Sequence, residues 1–205
     1  MQLLLFFKGL AVGFAIAAPV GPVGILCIQR SLTKGVLYGL ASGMGAACAD
    51  AVFGAIAAFG VSFIAEFLAR ELFWFQLGGA SLLLALGCHG LLSKGRPPGA
   101  ALEASDLAND LATTFLLTIT NPITIFSLTA VFAAVGIATG TETFSGGGLV
   151  TGGVFLGSAL WWLVLTSGVN LFRGAVSDGG LPWVRRVSGV IMLLFGAGVL
   201  VHIFT

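Results

Sequence analysis

The chain has 205 residues, of which 58% are hydrophobic and only 8% are charged, and its formal net charge is +1. Soluble domains carry about a quarter charged residues, so this chain lacks the polar side chains that a water-facing surface requires. We therefore predict an integral membrane protein with one all-α transmembrane domain in the lipid bilayer. The small net charge argues against nucleic acid as a partner.

Six apolar stretches are each long enough to cross a bilayer as a helix of about 20 residues. In chain order they cover approximately residues 5–29, 36–64, 72–92, 111–138, 148–172 and 184–204. The polar segment 93–110 separates a first half of three spans, residues 1–92, from a second half, residues 111–205. Two homologous halves of three spans form a 3+3 inverted repeat, and the similarity of GLASG at 39–43 to GLVTG at 148–152 favours one.

Basic residues concentrate in the connections after the first, third and fifth spans. These connections contain Arg30, Lys34, Lys94, Arg96, Arg173, Arg185 and Arg186, whereas the opposite side contains Lys8 and Arg70. Short cytoplasmic loops are enriched in Lys and Arg. We therefore predict that these connections, including the linker 93–110, face the cytoplasm and that both termini lie outside. If one span is re-entrant instead, one terminus changes side.

Prolines interrupt two of the spans. The sequence PVGP at residues 19–22 lies in the first span, and Asn121-Pro122 lies in the fourth. Broken backbone within a membrane is tolerated where it is buried in protein or lines a cavity, and paired interruptions in two halves indicate a transporter's binding site. We therefore predict broken first and fourth helices. The alternatives are a simple kink at Pro19 and Pro22 and a local backbone cap at Asn121.

Small residues recur every four positions on three spans. They are Gly9, Gly13, Ala17 and Gly21 on the first, Gly35, Gly39, Gly43 and Ala47 on the second, and Gly153 and Gly157 on the fifth. Such stripes allow helix backbones to approach closely in lipid. They indicate close helix packing, which is compatible with sliding of these spans during transport.

Asp50 is the only acidic residue deep within a predicted span. It follows Gly43 by seven residues and precedes Gly54 by four, so it shares the small-residue face of its helix and points into a helix interface. Ionisable groups within a membrane are costly and mark substrate or ion pathways. We predict that Asp50 binds substrate or a proton. The alternative is a protonated Asp50 that is hydrogen-bonded to a neighbouring backbone.

The helix breaks and Asp50 together suit a zwitterion. A half-helix that begins after a break offers free amides and a positive dipole end to a carboxylate, at Gly21 and Gly24 or just after Asn121. Asp50 suits an ammonium group, so an amino acid matches both. The predicted substrate-binding set is completed by Pro19, Pro22 and Pro122 at the breaks and by Trp161, Trp162 and Asn170 on the fifth span. Core packing is the alternative for the tryptophans.

These residues resemble the LysE/RhtB-type amino-acid exporters, the lysine exporter translocator family. The motifs are APVGPVGILCI at 18–28, the glycines that lead to Asp50, Thr120-Asn121-Pro122, and GSALWW at 157–162. The resemblance covers nearly the whole chain and preserves the motif order. It implies a multi-pass secondary transporter of the bacterial inner membrane that exports basic or neutral amino acids. It also implies proton or ion exchange as the energy source, no organic cofactor and a homodimer.

Two other function classes fit less well. A membrane enzyme would need a nucleophile and base, such as Ser158 and His202, but Ser158 lacks a glycine-flanked elbow, so we predict no enzyme. A metal or other inorganic cation exporter is the main alternative, because Asp50 and backbone carbonyls can coordinate a hard cation.

Overall fold

The computed structural model describes residues 2–19, 21–59, 66–67, 70–92, 103–121, 124, 144–172 and 180–205. Within these ranges lie seven helices: α1 (Gln2–Ala17), α2 (Pro22–Thr33), α3 (Val36–Ala58), α4 (Leu72–Leu92), α5 (Ala104–Ile119), α6 (Phe144–Phe172) and α7 (Leu181–Phe204). The described chain contains no strand, which confirms the all-α class. Helices α3, α4, α6 and α7 are each long and apolar enough to cross a membrane, and α1 with α2 forms a fifth candidate.

The predicted break in the first span is present. Helix α1 ends at Ala17, α2 begins at Pro22, and the two helices are bent by 79° relative to each other. Proline lacks a backbone N–H and disfavours helical geometry in the residue before it. Pro22 occupies the first turn of α2, where its missing N–H leaves no helical hydrogen bond unmade. Pro122 and most of the predicted fourth span lie outside the described residues.

Helix boundaries follow the predicted spans closely except at α5. Helix α4 matches the prediction, α3 begins at the predicted residue after Gly35, and Gly35 has the positive φ of 126° that favours glycine. Helix α5 begins at Ala104, inside the predicted linker 93–110. Asp106 in its first turn interacts favourably with the helix dipole, and Asp110 is buried against Arg30. Both carboxylates are therefore compatible with a helix, although their charge is typical of a linker.

Glycine stripes bring α1 and α6 into backbone contact. A Cβ atom added at Gly13 would overlap the carbonyl oxygen of Val154, and one added at Gly157 would overlap that of Leu10. Each helix therefore presents glycine to the backbone of the other, as the four-residue spacing predicts. Gly45 brings α3 equally close to the carbonyl of Leu111 on α5.

The remaining helix pairs place the break of the first span at the centre of the bundle. Helix α3 packs between α5 and α6, α4 packs along α7, and α2 contacts α3 and α7. Buried residues of the six other helices form one core cluster with those of α2, and they include Ala47, Leu83, Leu117, Trp162 and Met192. The short helix that follows the break is therefore enclosed by protein.

Candidate functional site

A cavity of about 280 Å³ lies at the break between α1 and α2. Residues from six helices line it: the last turn of α1, the first turn of α2, the middle of α3, the end of α5, and positions on α6 and α7. Seven predicted site residues meet here, namely Pro19, Gly21, Pro22, Gly24, Asp50, Asn121 and Trp162. We call this space the central cavity.

Asp50 is held in the wall of this cavity by a chain of hydrogen bonds. Its side chain is only 2% exposed, and Ser158 Oγ donates a hydrogen bond of 2.7 Å to Asp50 Oδ2. Trp162 Nε1 donates in turn to Ser158 Oγ at 3.1 Å. Because indole N–H is a donor only, the chain runs from Trp162 through Ser158 to the carboxylate. The carboxylate is thereby oriented at the interface of α3 and α6, as the register of Asp50 predicts.

Three helix ends converge on the same space. Helix α2 begins at Pro22, so its first-turn amides, from Val23 and Gly24, have no acceptor within the helix. Helices α1 and α5 end here at Ala17 and Ile119, and their last-turn carbonyls carry partial negative charge. The cavity therefore presents one positive helix end, two negative helix ends and a carboxylate.

Two predicted residues, Trp161 and Asn170, do not line the central cavity. Trp161 packs edge-on against Phe14 with ring centroids 5.3 Å apart, which fits the core-packing alternative. Asn170 is exposed near the end of α6 and does not line the central cavity. Pro122 falls outside the described residues, so its predicted role remains a prediction.

Sequence reasoning missed Ser158 as the partner of Asp50. On α6, Ser158 lies midway between Val154 and Trp162, and these two residues contact Gly54 and Gly43 on either side of Asp50. Val154, Ser158 and Trp162 are spaced four residues apart and so share one face of α6. This spacing was the sequence signal that could have identified Ser158. The contribution of Phe195 to the cavity was also missed, and the apolar residues on either side of it give no sequence signal for it.

An apolar helical bundle with a broken helix at a cavity that contains one carboxylate is typical of a membrane transport protein. Among the described residues, no group of three or more His, Cys, Asp or Glu side chains is placed to hold a metal ion. A family model described as "LysE type translocator" matches residues 14–202. The chain belongs to the LysE type translocator family. It is thus a multi-pass membrane transporter and not an enzyme.

One curated relative aligns over almost its full length. The chain is 23% identical over 197 residues to "Putative amino acid efflux protein YcgF" of Bacillus subtilis (strain 168), and the match covers 94% of this chain and 93% of the relative. No solved structure matches the chain.

Proposed function

We propose that this protein exports small amino acids, basic or neutral, from the cytoplasm by alternating access at the central cavity. The observation that carries the proposal is that the Asp50 carboxylate and the N-terminus of α2 face one cavity of about 280 Å³. Small-molecule sites start at roughly 300 Å³, so this volume suits one small substrate. The name of the B. subtilis relative supports the same substrate class.

The substrate ammonium group binds Asp50 in this proposal. Ser158 Oγ donates one hydrogen bond to Asp50 Oδ2. An ionised carboxylate has further acceptor sites on both oxygens. Carbonyls at the ends of α1 and α5 add negative potential around the same group. An ammonium group can therefore be bound by one full charge and several dipoles.

The substrate carboxylate binds the N-terminus of α2. Gly24 lines the cavity within the first turn, where backbone N–H groups lack helical partners. Helix N-termini bind anions through these amides and the helix dipole. The lining contains no Lys or Arg among its described residues, so the helix end takes the role that a basic side chain has in other carboxylate sites.

Apolar groups remain for the substrate side chain. Ile16, Val23 and Phe195 line the central cavity, and Asp50 is the one charged side chain among the described residues of its wall. Neutral amino acids therefore match the cavity without further groups. A basic amino acid would place its second positive charge against the carbonyl ends of α1 and α5.

The proposed architecture is six spans in a 3+3 inverted repeat, with residues 1–92 and 111–205 joined by the cytoplasmic linker 93–110. Helix pairing supports it. Helix α1, from the first span, packs on α6, the fifth, while α5, from the fourth, packs on α3, the second. If the first and second halves are interchanged, the α1–α6 pair becomes the α5–α3 pair and the reverse. The α3–α6 and α4–α7 pairs remain the same pairs.

The proposed cycle uses motion of the two halves to expose the central cavity first to the cytoplasm and then to the outside. Proton uptake by Asp50 would neutralise the group that binds the ammonium and so favour release. The broken fourth span rests on the Asn121-Pro122 interruption. The bacterial inner membrane location and a homodimer rest on the family resemblance, and all three belong to the same proposal.

Efflux from cells preloaded with labelled amino acids tests this function directly. A parallel panel of divalent metals tests the cation-exporter alternative. We expect the wild type to export one group of amino acids and Asp50→Asn to lose most of that export, because the amide keeps the shape but removes the charge. Glu66→Gln, which removes an exposed carboxylate away from the cavity, is the matched control and should export normally.

The outcomes separate the parts of the proposal. Amino-acid export that persists at the normal rate and stays proton-coupled in Asp50→Asn would remove Asp50 from the mechanism but retain the exporter. Movement of a divalent metal without any amino acid would replace the function with cation export.

A further inference from the structure

A second cavity, of about 170 Å³, lies at the end of the bundle where α2 and α4 finish and where α5 and α7 start. We call it the basic cavity. Leu26 and Leu86 form the apolar part of its lining, and most of the other lining residues are polar or charged. The proposed export site uses none of its residues.

The basic cavity contains more positive than negative charge. Arg30, Lys34 and Arg185 line it together with a single carboxylate, Asp110. Lys34 Nζ lies 2.9 Å from both oxygens of Asp110, and Arg30 Nε lies 3.2 Å from one of them. One carboxylate among three cations leaves an excess of two positive charges even with His89 neutral. A recess of one sign of charge with low-dielectric walls concentrates counter-ions.

Arg30 and Lys34 are already engaged. Arg30 is buried, and it donates further hydrogen bonds of 2.8 Å to Ser42, to the backbone carbonyl of Asp110 and to two threonines of α5. Lys34 donates to Asp110 as described. These two cations therefore supply positive potential to the cavity, while their N–H groups are hydrogen-bonded within the protein.

Arg185 differs, because its side chain makes no ion pair or hydrogen bond within the described part of the chain. It is half-buried in the first turns of α7. Gly90 on α4 lets α7 come close at this point, since a Cβ atom there would lie 3.3 Å from the Arg185 carbonyl oxygen. An unpaired guanidinium presents a planar set of donors that matches carboxylate and phosphate oxygens.

We propose that the basic cavity is an oxyanion-binding site in which Arg185 contacts a carboxylate or phosphate group. His89, Gln29 and Asn109 provide further polar groups around it. The free carboxylate of an amino acid and the phosphate of an anionic lipid headgroup share this chemistry. The site is separate from the central cavity, so the inference does not rest on the proposed export of amino acids.

A thermal-stability assay in uncharged detergent tests the site without any transport. Acetate and inorganic phosphate are added at constant ionic strength, with chloride as the replaced anion. A ligand that binds only the folded protein raises its melting temperature. We expect a dose-dependent rise for the wild type that is largely lost in Arg185→Gln.

Arg186→Gln is the matched control, because it removes the same charge from the next residue of the same helix. Arg186 is exposed and does not line the basic cavity, so this variant should respond to the anions as the wild type does. Arg185→Lys keeps the charge and loses the planar fork, and we expect an intermediate response. If Arg185→Gln fails to fold, the comparison of Arg185→Lys with Arg186→Lys serves the same purpose. Equal anion responses in the 185 and 186 variants would overturn the proposal.

Two further probes identify the source of the oxyanion. Alanine and alaninamide are compared in the Asp50→Asn background, where the proposed export site is disabled. Stabilisation by alanine but not by alaninamide, if it depends on Arg185, assigns the cavity to amino-acid carboxylates. Arg185-dependent stabilisation by phosphatidylglycerol alone assigns it to a lipid headgroup. Either result supports an oxyanion site, and a response to neither probe contradicts both sources.

Discussion

Ser158 is the residue that fixes how Asp50 is presented to the central cavity. Its hydroxyl donates to Asp50 Oδ2 and accepts from Trp162 Nε1, so one small side chain links a carboxylate on α3 to an indole on α6. All three residues are buried. Loss of the hydroxyl removes a partner from two other polar groups at once, and this makes Ser158 a more informative target than its size suggests.

We expect Ser158→Ala to lower both stability and substrate affinity. Hydrogen bonds between membrane helices contribute on average about 0.6 and at most about 1.7 kcal/mol. A loss of about 1 kcal/mol corresponds to a fall of about 2–4 °C in melting temperature for a chain of this size. The KM for export should rise several-fold, because Asp50 is less firmly oriented. Thermal unfolding in detergent and efflux kinetics measure the two effects.

Ser81→Ala is the control for this substitution. Ser81 is exposed, and its hydroxyl donates only to the Leu77 carbonyl of its own helix at 2.7 Å. It should leave both quantities unchanged. Equal effects of the two substitutions would show that the Ser158–Asp50 hydrogen bond contributes nothing specific.

At the scale of helices, neighbouring glycines on α6 have opposite surroundings. A Cβ atom at Gly153 would overlap the Phe6 carbonyl oxygen of α1, whereas one at Gly152 would meet nothing within 4 Å. We expect Gly153→Ala to destabilise the protein by about 1–3 kcal/mol through overpacking. Gly152→Ala should be neutral or stabilising by up to about 1 kcal/mol, because alanine is the better helix former. Melting temperatures of the two variants, purified in parallel, test the predicted order.

The polar cluster of Arg30, Lys34 and Asp110 fastens α2 to α5, whose backbones otherwise approach each other at few positions. Asp110→Asn would leave two cations without their carboxylate, and removal of one partner of a buried ion pair costs about 3–5 kcal/mol. Lys34→Gln should cost at most about 1 kcal/mol, since the Lys34 side chain is 32% exposed and Asp110 keeps Arg30. Unfolding measurements that place Lys34→Gln at or below the stability of Asp110→Asn would contradict this account.

These helices also show what the sequence could and could not reveal. The break at Pro19 and Pro22, the interface position of Asp50 and the close packing of glycine stripes follow from local chemistry and spacing, whereas the pairing of α1 with α6 was not predicted. The early start of α5 was not predicted, because a charged residue such as Asp110 is typical of a linker when its contact with Arg30 is unknown. Pairings between residues 80 positions apart leave no local pattern.

The two similar glycine motifs illustrate the same limit. Gly39 and Gly43 pack tightly against Ser31 and Trp162, whereas Gly148 and Gly152 have open space at their Cβ positions. Similar letters in the two halves therefore occupy different surroundings. The support for the proposed repeat therefore comes from which helices pair and not from which glycines match.

At the scale of the whole molecule, the ends of the helices sort by charge. Lys34 at the end of α2, His89 near the end of α4 and Arg185 near the start of α7 meet at one cavity, so these chain segments share one end of the bundle. Because short cytoplasmic loops are enriched in Lys and Arg, we expect this end to face the cytoplasm. We expect a fluorescent protein inserted between residues 93 and 102 to fold and fluoresce. Alkaline phosphatase fused after Thr205 should be active, because the proposed three spans after a cytoplasmic linker would place the C-terminus outside. An inactive phosphatase with a fluorescent C-terminal fusion would instead indicate an even number of crossings after the linker, which contradicts three spans in the second half.

Helix α2 belongs to both cavities. Its first turn lines the central cavity at Pro22, Val23 and Gly24, and its later turns line the basic cavity from Leu26 to Thr33. Twelve residues of helix extend only about 18 Å, so a tilt or rotation at one end displaces the other. Thermodynamic reciprocity then applies to the two ligands: an anion in the basic cavity that changes affinity for an amino acid in the central cavity must have its own affinity changed by the same factor.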